Sequence, residues 1–304
     1  MKSWARGIEF RMFDSTDPFV KFLRSQNGAK AYLKPYWGNS GDVLIWMGNE
    51  LLLKEIGLER VVDPRKADII VWPGGNPSMW RGNLDAWQDC WRCWPDARFV
   101  VAPATFQGNA WQQSLKDAPQ NVVAEFSRDP SSHQNLSSAH LRPGIETGLG
   151  HDPAFHLKDS NWASKHRDAT TSEYVLASFR DDHESTFSPV IENRLFSIWP
   201  FSSVLVRLQH RRKRKFCQHR LKLVRDRIGS NERIFECDAP MMSFESFVEC
   251  VRRASQVHTD RLHCMILAVL LGKEVFAYPT AYGKLEAVYE HSIKSWAKVN
   301  FISN

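Results

Sequence analysis

Arg261 and His263 stand two residues apart in "HTDRLHCMILAVLLGKEVFAYPTAYGK", residues 258–284, at the front of the most apolar stretch of the chain. Arginine offers a planar fork of donors suited to a carboxylate or phosphate, and histidine can exchange a proton near neutral pH. Residues 264–271 are apolar throughout. As a helix they would be buried on all sides, and the free N–H groups at the helix start would favour an anion. Thr259 and Asp260 are the expected N-cap residues, Gly272 the C′ residue, and "EVFAYP" a short buried strand. Strand, helix and strand thus outline an anion pocket. These residues alone also fit a local ion pair for Arg261 and a hydrogen-bonded core histidine at 263.

The elements that must hold such a pocket alternate along the chain. "AYLKPYW" is followed by the loop "GNSGD" and the helical "VLIWMGNELLLKEIG"; then come "ADIIVW", the loop "PGGNP", a Trp-rich helical segment and "RFVVAPAT". Strands alternating with helices predict a parallel sheet, and glycine loops after strands lie where open α/β sheets bind ligands. Neither loop matches G-x-G-x-x-G or a Walker A loop, so NAD and ATP are not indicated. The pattern loosens after residue 105, through "PSSHQNLSSAH", and "LKDSNWASKHRDATTSE" has a linker's composition. A second series follows: "YVLASF", "SVLVRL", "RIFEC", a helix over 243–254, the opening stretch, and "KLEAVYEHSIKSW" as a closing helix. The expected fold is α/β, with two Rossmann-like domains facing a cleft, 1–170 and 171–304, and the last helix able to pack back on the first domain.

Composition narrows the classes. With 304 residues, 43% hydrophobic and 24% charged, the chain has room for two ordinary cores, and no segment approaches a membrane span. The stretch "MKSWARGIEFRMFDSTD" lacks an apolar h-region, and the expected location is cytoplasmic. Six cysteines do not make a disulfide framework. Cys90 and Cys93 in "DCWRCW" have knuckle spacing without a second pair, and are expected to pack on one helix face rather than bind metal. Residues 207–227 hold ten Lys/Arg against one acid, more than the whole net charge of +6. That block can lie on an anionic membrane surface or be a solvated helix face, with Arg211, Lys215, Lys222 and Arg225 on one side and Phe216, Leu221, Leu223 and Val224 supplying apolar contacts. Nucleic acid is not expected, because stacking aromatics are missing from it.

Several motifs together resemble the polysaccharide pyruvyl transferase family: "WGNSGDVLI" (37–45), "WPGGN" (72–76), "FSRDPSS" (126–132), "HDPAF" (151–155), "FRDD" (179–182), "TDRLHCMILAVLLGKEV" (259–275) and "YGKL" (282–285), in family order over nearly the whole chain. The resemblance implies a GT-B-like fold and transfer of an enolpyruvyl group from phosphoenolpyruvate to a sugar, forming a pyruvate ketal on an exopolysaccharide or cell-surface glycan. It requires no cofactor, since phosphoenolpyruvate is the donor substrate. Arg261, Leu262 and His263 match the family's donor-binding Arg-Leu-His, Arg180 matches an arginine on the other side of the donor, and Lys284 adds a cation. His263 is then the candidate general acid and His151 the candidate base, with Arg180 stabilising the departing phosphate.

Acceptor contacts are expected from Asn39, Asp42, Asn76 and Asp152, with Trp37, Trp72 and Trp80 as stacking faces. Asp42 can equally be a helix N-cap, and Arg128 with Asp129 an ion pair. The acceptor would be an oligosaccharide, lipid-linked or free, reached at the inner face of the membrane if 207–227 binds there. "WPGGNPSMW" and "VAPATFQG" depart from the glycine-rich sequences many members have, which bears on the acceptor. A GT-B glycosyltransferase using a nucleotide sugar and a non-catalytic carbohydrate- or membrane-binding scaffold are the alternative classes.

Overall fold

The computed structural model describes residues 16–35, 38–76, 81–108, 110–139, 141–167, 172–180, 218–229 and 231–302. The chain divides into two compact units, Met1–Gly38 with Asp42–Ala163, and Asn39–Gly41 with Ser164–Asn304.

In the first unit β1 (Lys30–Leu33), β2 (Glu59–Arg60), β3 (Ile69–Trp72), β4 (Arg98–Ala104), β5 (Val122–Ser127) and β6 (Glu146–Leu149) form a parallel sheet in the order β2-β1-β3-β4-β5-β6. Its strands read as continuous apolar runs because both faces are covered. Ile69, Val71, Val100 and Ala102 join Phe19, Leu52 and Phe126 in one layer. Ile70, Trp72, Phe99 and Val101 join Trp87, Trp91 and Trp111 in the other. Trp72 is therefore core, only 2% exposed, and offers no stacking face; Trp37 and Trp80 lie outside the described residues.

The stretch after residue 105 is regular. Asp129 caps helix Pro130–Ser138 by accepting from Ser132 N at 2.8 Å, with proline at the first helical position, a pre-set start that the polar composition masked. The expected linker contains helix Asn161–Arg167, inside which the boundary between the units falls. In helix Arg81–Cys93, Cys90 is buried and the final residue Cys93 is exposed, so the two thiols do not share a packed face.

The second unit carries β7 (Tyr174–Ser178), β8 (Ile234–Glu236), β9 (Ala254–Thr259), β10 (Glu274–Ala277) and β11 (Asn300–Phe301) in a parallel sheet ordered β11-β10-β9-β7-β8. Both units are thus α/β with parallel sheets, consistent with Rossmann-like domains. Helix Leu262–Leu270 is buried on every side except at His263, and its N-cap is Arg261, one or two residues later than the sequence indicated, because Thr259 still pairs in β9. After helix Lys284–Val288 and a π-helical turn at Tyr289–Ile293, the chain returns as β11, too short to show a strand pattern. "SVLVRL" and 207–217 of the basic block lie outside the described residues. In 218–227, Val224 is buried in the unit's own core and half-buried Leu221 and Leu223 pack against it, while Lys222 and Arg225 are exposed.

Among the buried polar residues of the first unit, Glu125 stands in an apolar layer. Glu125 in β5 is fully buried on the Trp-rich side, in register with Val101, and neither carboxylate oxygen has a hydrogen-bond partner among the described residues. Burial pushes its carboxyl well above the usual range, so it is protonated in the folded protein. The unfolded chain releases that proton at about pH 4.3 and above, so wild-type stability falls as pH rises from there toward the folded value. The stability difference between Glu125→Gln and the wild type should therefore be constant below about pH 4 and shift in favour of the variant by roughly 1.4 kcal/mol per pH unit from there up to the raised folded value. Urea unfolding at several pH values checks this; a gap independent of pH would contradict it.

Candidate functional site

In a parallel sheet all strands leave by the same edge, and ligands of open α/β folds bind beyond that edge. In the second unit the exits of β7, β8, β9 and β10 carry Arg180, Asp238, Asp260 to His263, and 278–284 respectively. The β9 exit organises its neighbours. Thr259 Oγ1 donates to Ser178 O at 2.6 Å and accepts from Arg261 N at 2.9 Å. Asp260 Oδ1 accepts from Arg180 N at 2.7 Å. Asp260 therefore orients the β7 exit instead of capping the helix.

Arg261 is 6% exposed, and its Nη2 donates to Asp238 Oδ2 in an ion pair. The local carboxylate partner is present, so Arg261 is not a cation without a counter-charge. Its Nε is buried and has no partner among the described residues. Arg180, at 9% exposed, has its backbone held from both sides, because Arg220 Nη1 donates to its carbonyl. Lys284 is buried after Gly283, whose positive φ of 64° turns the chain into the helix; its Nζ donates to Tyr282 Oη at 3.1 Å. Leu262 is core, at 3% exposed, and fixes the helix rather than presenting a polar contact. Arg180, Arg261 and Lys284 therefore supply three buried or nearly buried cations on one sheet edge, with half-buried His263 at the second position of the helix.

The first glycine loop contributes to this unit as well. Ser40 Oγ donates to Met242 O, and Asn39 Oδ1 accepts from Gly41 N at 2.8 Å, so Asn39 occupies the capping position of helix Ser40–Ile56. A Cβ on Gly41 would fall 2.5 Å from His263 Nδ1 and 2.6 Å from His263 Cβ. Glycine at 41 is what lets the imidazole lie against this turn.

In the first unit, Asp42 sits in the first turn of the same helix, over Gly38, where a Cβ would come within 1.9 Å of Asp42 Oδ2. Asn76 follows Gly74 and Gly75, both at positive φ; Gly74 clears Pro103 O, which a Cβ would approach to 2.6 Å, and Gly75 bridges Ala104. Asp152 is enclosed, with Oδ2 taking Arg128 Nη1 at 2.7 Å and Oδ1 capping the turn at Ala154. Arg128 therefore pairs with Asp152 and not with Asp129, whose oxygens cap helix Pro130–Ser138 and take Thr105 Oγ1. The neighbouring His151 is half-buried, and its N donates to Asp17 Oδ2 at 2.9 Å. Sequence reasoning missed Asp238 and Arg220. Asp238 lies 23 residues from Arg261, and Arg220 was one of ten basic residues in a row of similar ones.

The family model described as polysaccharide pyruvyl transferase matches residues 39–282, most of the chain. The chain belongs to the polysaccharide pyruvyl transferase family. Members are transferases with polysaccharide acceptors. A functionally uncharacterised protein from Klebsiella pneumoniae subsp. pneumoniae NTUH-K2044 has a similar fold, at TM-score 0.61 and 20% identity over 94% of this chain and 96% of that one. No curated protein matches. The family match runs from the Asn39 turn to Tyr282, and so spans both the residues that receive His263 and those that follow β10.

Gly41→Ala forces a methyl against His263 Cβ, which cannot swing away. It should cost about 1–3 kcal/mol, as overpacking does, whereas Gly229→Ala, with only ordinary contacts at 3.7 Å, should stay within about 0.5 kcal/mol of wild type. Denaturant titration of both variants tests this; equal stabilities would show that His263 does not lean on the turn.

Proposed function

We propose that the protein is a ketal pyruvyltransferase that takes phosphoenolpyruvate as donor and a glycan hydroxyl pair as acceptor. The observation that carries this reading is Arg261, buried at the start of an apolar helix with one arm on Asp238 and Nε left for a ligand. Phosphoenolpyruvate brings a carboxylate and a phosphate, two anions for Arg180, Arg261, Lys284 and the helix start. Family membership supports a pyruvyl group as the moiety moved.

In this reading His263, as imidazolium, delivers a proton to C3 of the enol, and positive charge develops at C2. A sugar hydroxyl adds to C2 as a base removes its proton, and His151 of the first unit is the candidate for that base. The C2–O bond to phosphate breaks with Arg180 and Arg261 neutralising the leaving group. A second hydroxyl then closes the ketal, so one diol and one phosphoenolpyruvate give one ketal and one phosphate. Asn39, Asp42 and Asn76 are proposed to meet the acceptor, and the reading includes a GT-B-like cleft. Exposed Lys222 and Arg225 are compatible with approach to an anionic membrane carrying a lipid-linked acceptor.

Arg261→Ala should weaken phosphoenolpyruvate binding by about tenfold to a hundredfold, the loss of a charge-assisted donor worth roughly 1.5–3 kcal/mol. Calorimetry on the variant, with circular dichroism to establish that it folds, measures this. Unchanged affinity in a folded variant would remove Arg261 from the donor site.

The histidines should separate. His263→Ala is expected to lower turnover and donor affinity together, and His151→Ala to lower turnover with donor affinity nearly unchanged. Phosphate release and calorimetry on each variant distinguish them; full activity in His151→Ala would end its role as base.

A further inference from the structure

Two thiols touch in the second unit beside the cation cluster. Cys237 follows β8, and Cys250 lies in the last turns of helix Phe244–Arg252; their Sγ atoms are 3.4 Å apart. Both are free, Cys250 buried and Cys237 half-buried. A disulfide requires an S–S separation of about 2.05 Å, so closure needs a shift of only about 1.4 Å. The pair spans 13 residues and encloses Asp238, the counter-charge of Arg261, together with Met242, whose carbonyl takes Ser40 Oγ.

We infer that Cys237 and Cys250 form a reversible disulfide under a peroxide oxidant, and that this closure weakens the anion site by moving the loop that carries Asp238. The second half of this inference rests on the reading of Arg261 as a donor ligand. The hydrogen bond from Cys237 lowers the Cys250 thiol from its ordinary value, against the opposing effect of burial, and so favours its thiolate. Cys264, the third thiol nearby, is fully buried and pushed up to about 12, which keeps it protonated and unreactive.

The chemistry balances with one peroxide per pair. The Cys250 thiolate attacks one peroxide oxygen; an S–O bond forms, the O–O bond breaks, and hydroxide leaves as water after taking a proton. Cys237 sulfur then attacks the sulfenic sulfur; the S–S bond forms, the S–O bond breaks, and a second water leaves. Two thiols lose two electrons to one hydrogen peroxide. A dithiol reverses the step.

The test treats the full chain with stoichiometric hydrogen peroxide, blocks free thiols, and maps the digested peptides by mass, with phosphoenolpyruvate affinity measured before and after. A cross-link joining the peptides of Cys237 and Cys250 is expected in the wild type and in Cys264→Ser. It should be absent in Cys237→Ser and Cys250→Ser and be undone by dithiothreitol. Affinity should fall by about fivefold or more on oxidation of the wild type, and in neither single variant. Pairing with a different cysteine, or sulfinic acid without a cross-link, overturns the disulfide. A mapped disulfide with unchanged affinity overturns the switch. If the reduced protein does not bind phosphoenolpyruvate, the donor reading fails, and with it the switch, while the peptide map still decides the disulfide.

Discussion

Burying a guanidinium against a helix that has almost no exposed side constrains everything at that edge of the second unit. The charge must find a carboxylate or pay several kcal/mol in lost hydration, and losing one partner of such a pair typically costs about 3–5 kcal/mol. Asp238 supplies the carboxylate from the exit of β8, which is separated from β9 by β7 in the sheet order. Arg261 therefore reaches across the β7 exit, where Ser178 and Arg180 are held by Thr259 and Asp260. Three consecutive residues thus fix the ends of two neighbouring strands, β7 through Thr259 and Asp260 and β8 through Arg261. The polar groups at this edge are therefore ordered by the fold itself, which is the condition for low entropy loss in any binding there.

Much of this fold is legible because parallel sheets covered on both faces leave plain apolar runs. "ADIIVW", "RFVVA" and "YVLAS" announce β3, β4 and β7, and the 262–270 helix announces itself by having no polar stripe. What escaped had a physical cause in each case. Helix Pro130–Ser138 buries only Ser132 and Leu136, so it lacks a wide apolar face, although Asp129 and Pro130 mark its start. β11 is two residues long. At the site, the cationic side chains could be picked by type, but their partners could not. Arg261 with Asp238, Arg128 with Asp152 and Arg220 with the Arg180 carbonyl are all joined through tertiary packing, and no local period encodes such pairs. The same burial that makes Trp72 a good strand residue removes it from the surface where a sugar ring would stack.

The two glycine loops show how one residue type serves different needs. Gly74 and Gly75 adopt positive φ and keep the chain alongside β4, a demand of the backbone. Gly38 and Gly41 have ordinary φ values and are small because Asp42 and His263 occupy the space a methyl would need. In the second case the glycine is read by a side chain, so the motif "GNSGD" records where an imidazole must fit. A glycine motif without the dinucleotide spacing is then informative about packing.

The turn at Asn39–Gly41 also has a temporal meaning. It precedes a helix whose remaining residues, from Asp42 onward, belong to the first unit, yet Ser40 is anchored to Met242, 202 residues later. During synthesis at about 5–20 residues per second, roughly 10–40 s separate the emergence of these two residues. The sheet of the first unit can assemble in that interval, since its strands all precede residue 150. The first turn of helix Ser40–Ile56 cannot reach its final contacts until the ribosome has delivered the loop after β8. A chain released before that point would lack the partner of Ser40, so completion of the first unit's sheet and completion of the turn against Met242 and His263 are separate events in the life of this polypeptide.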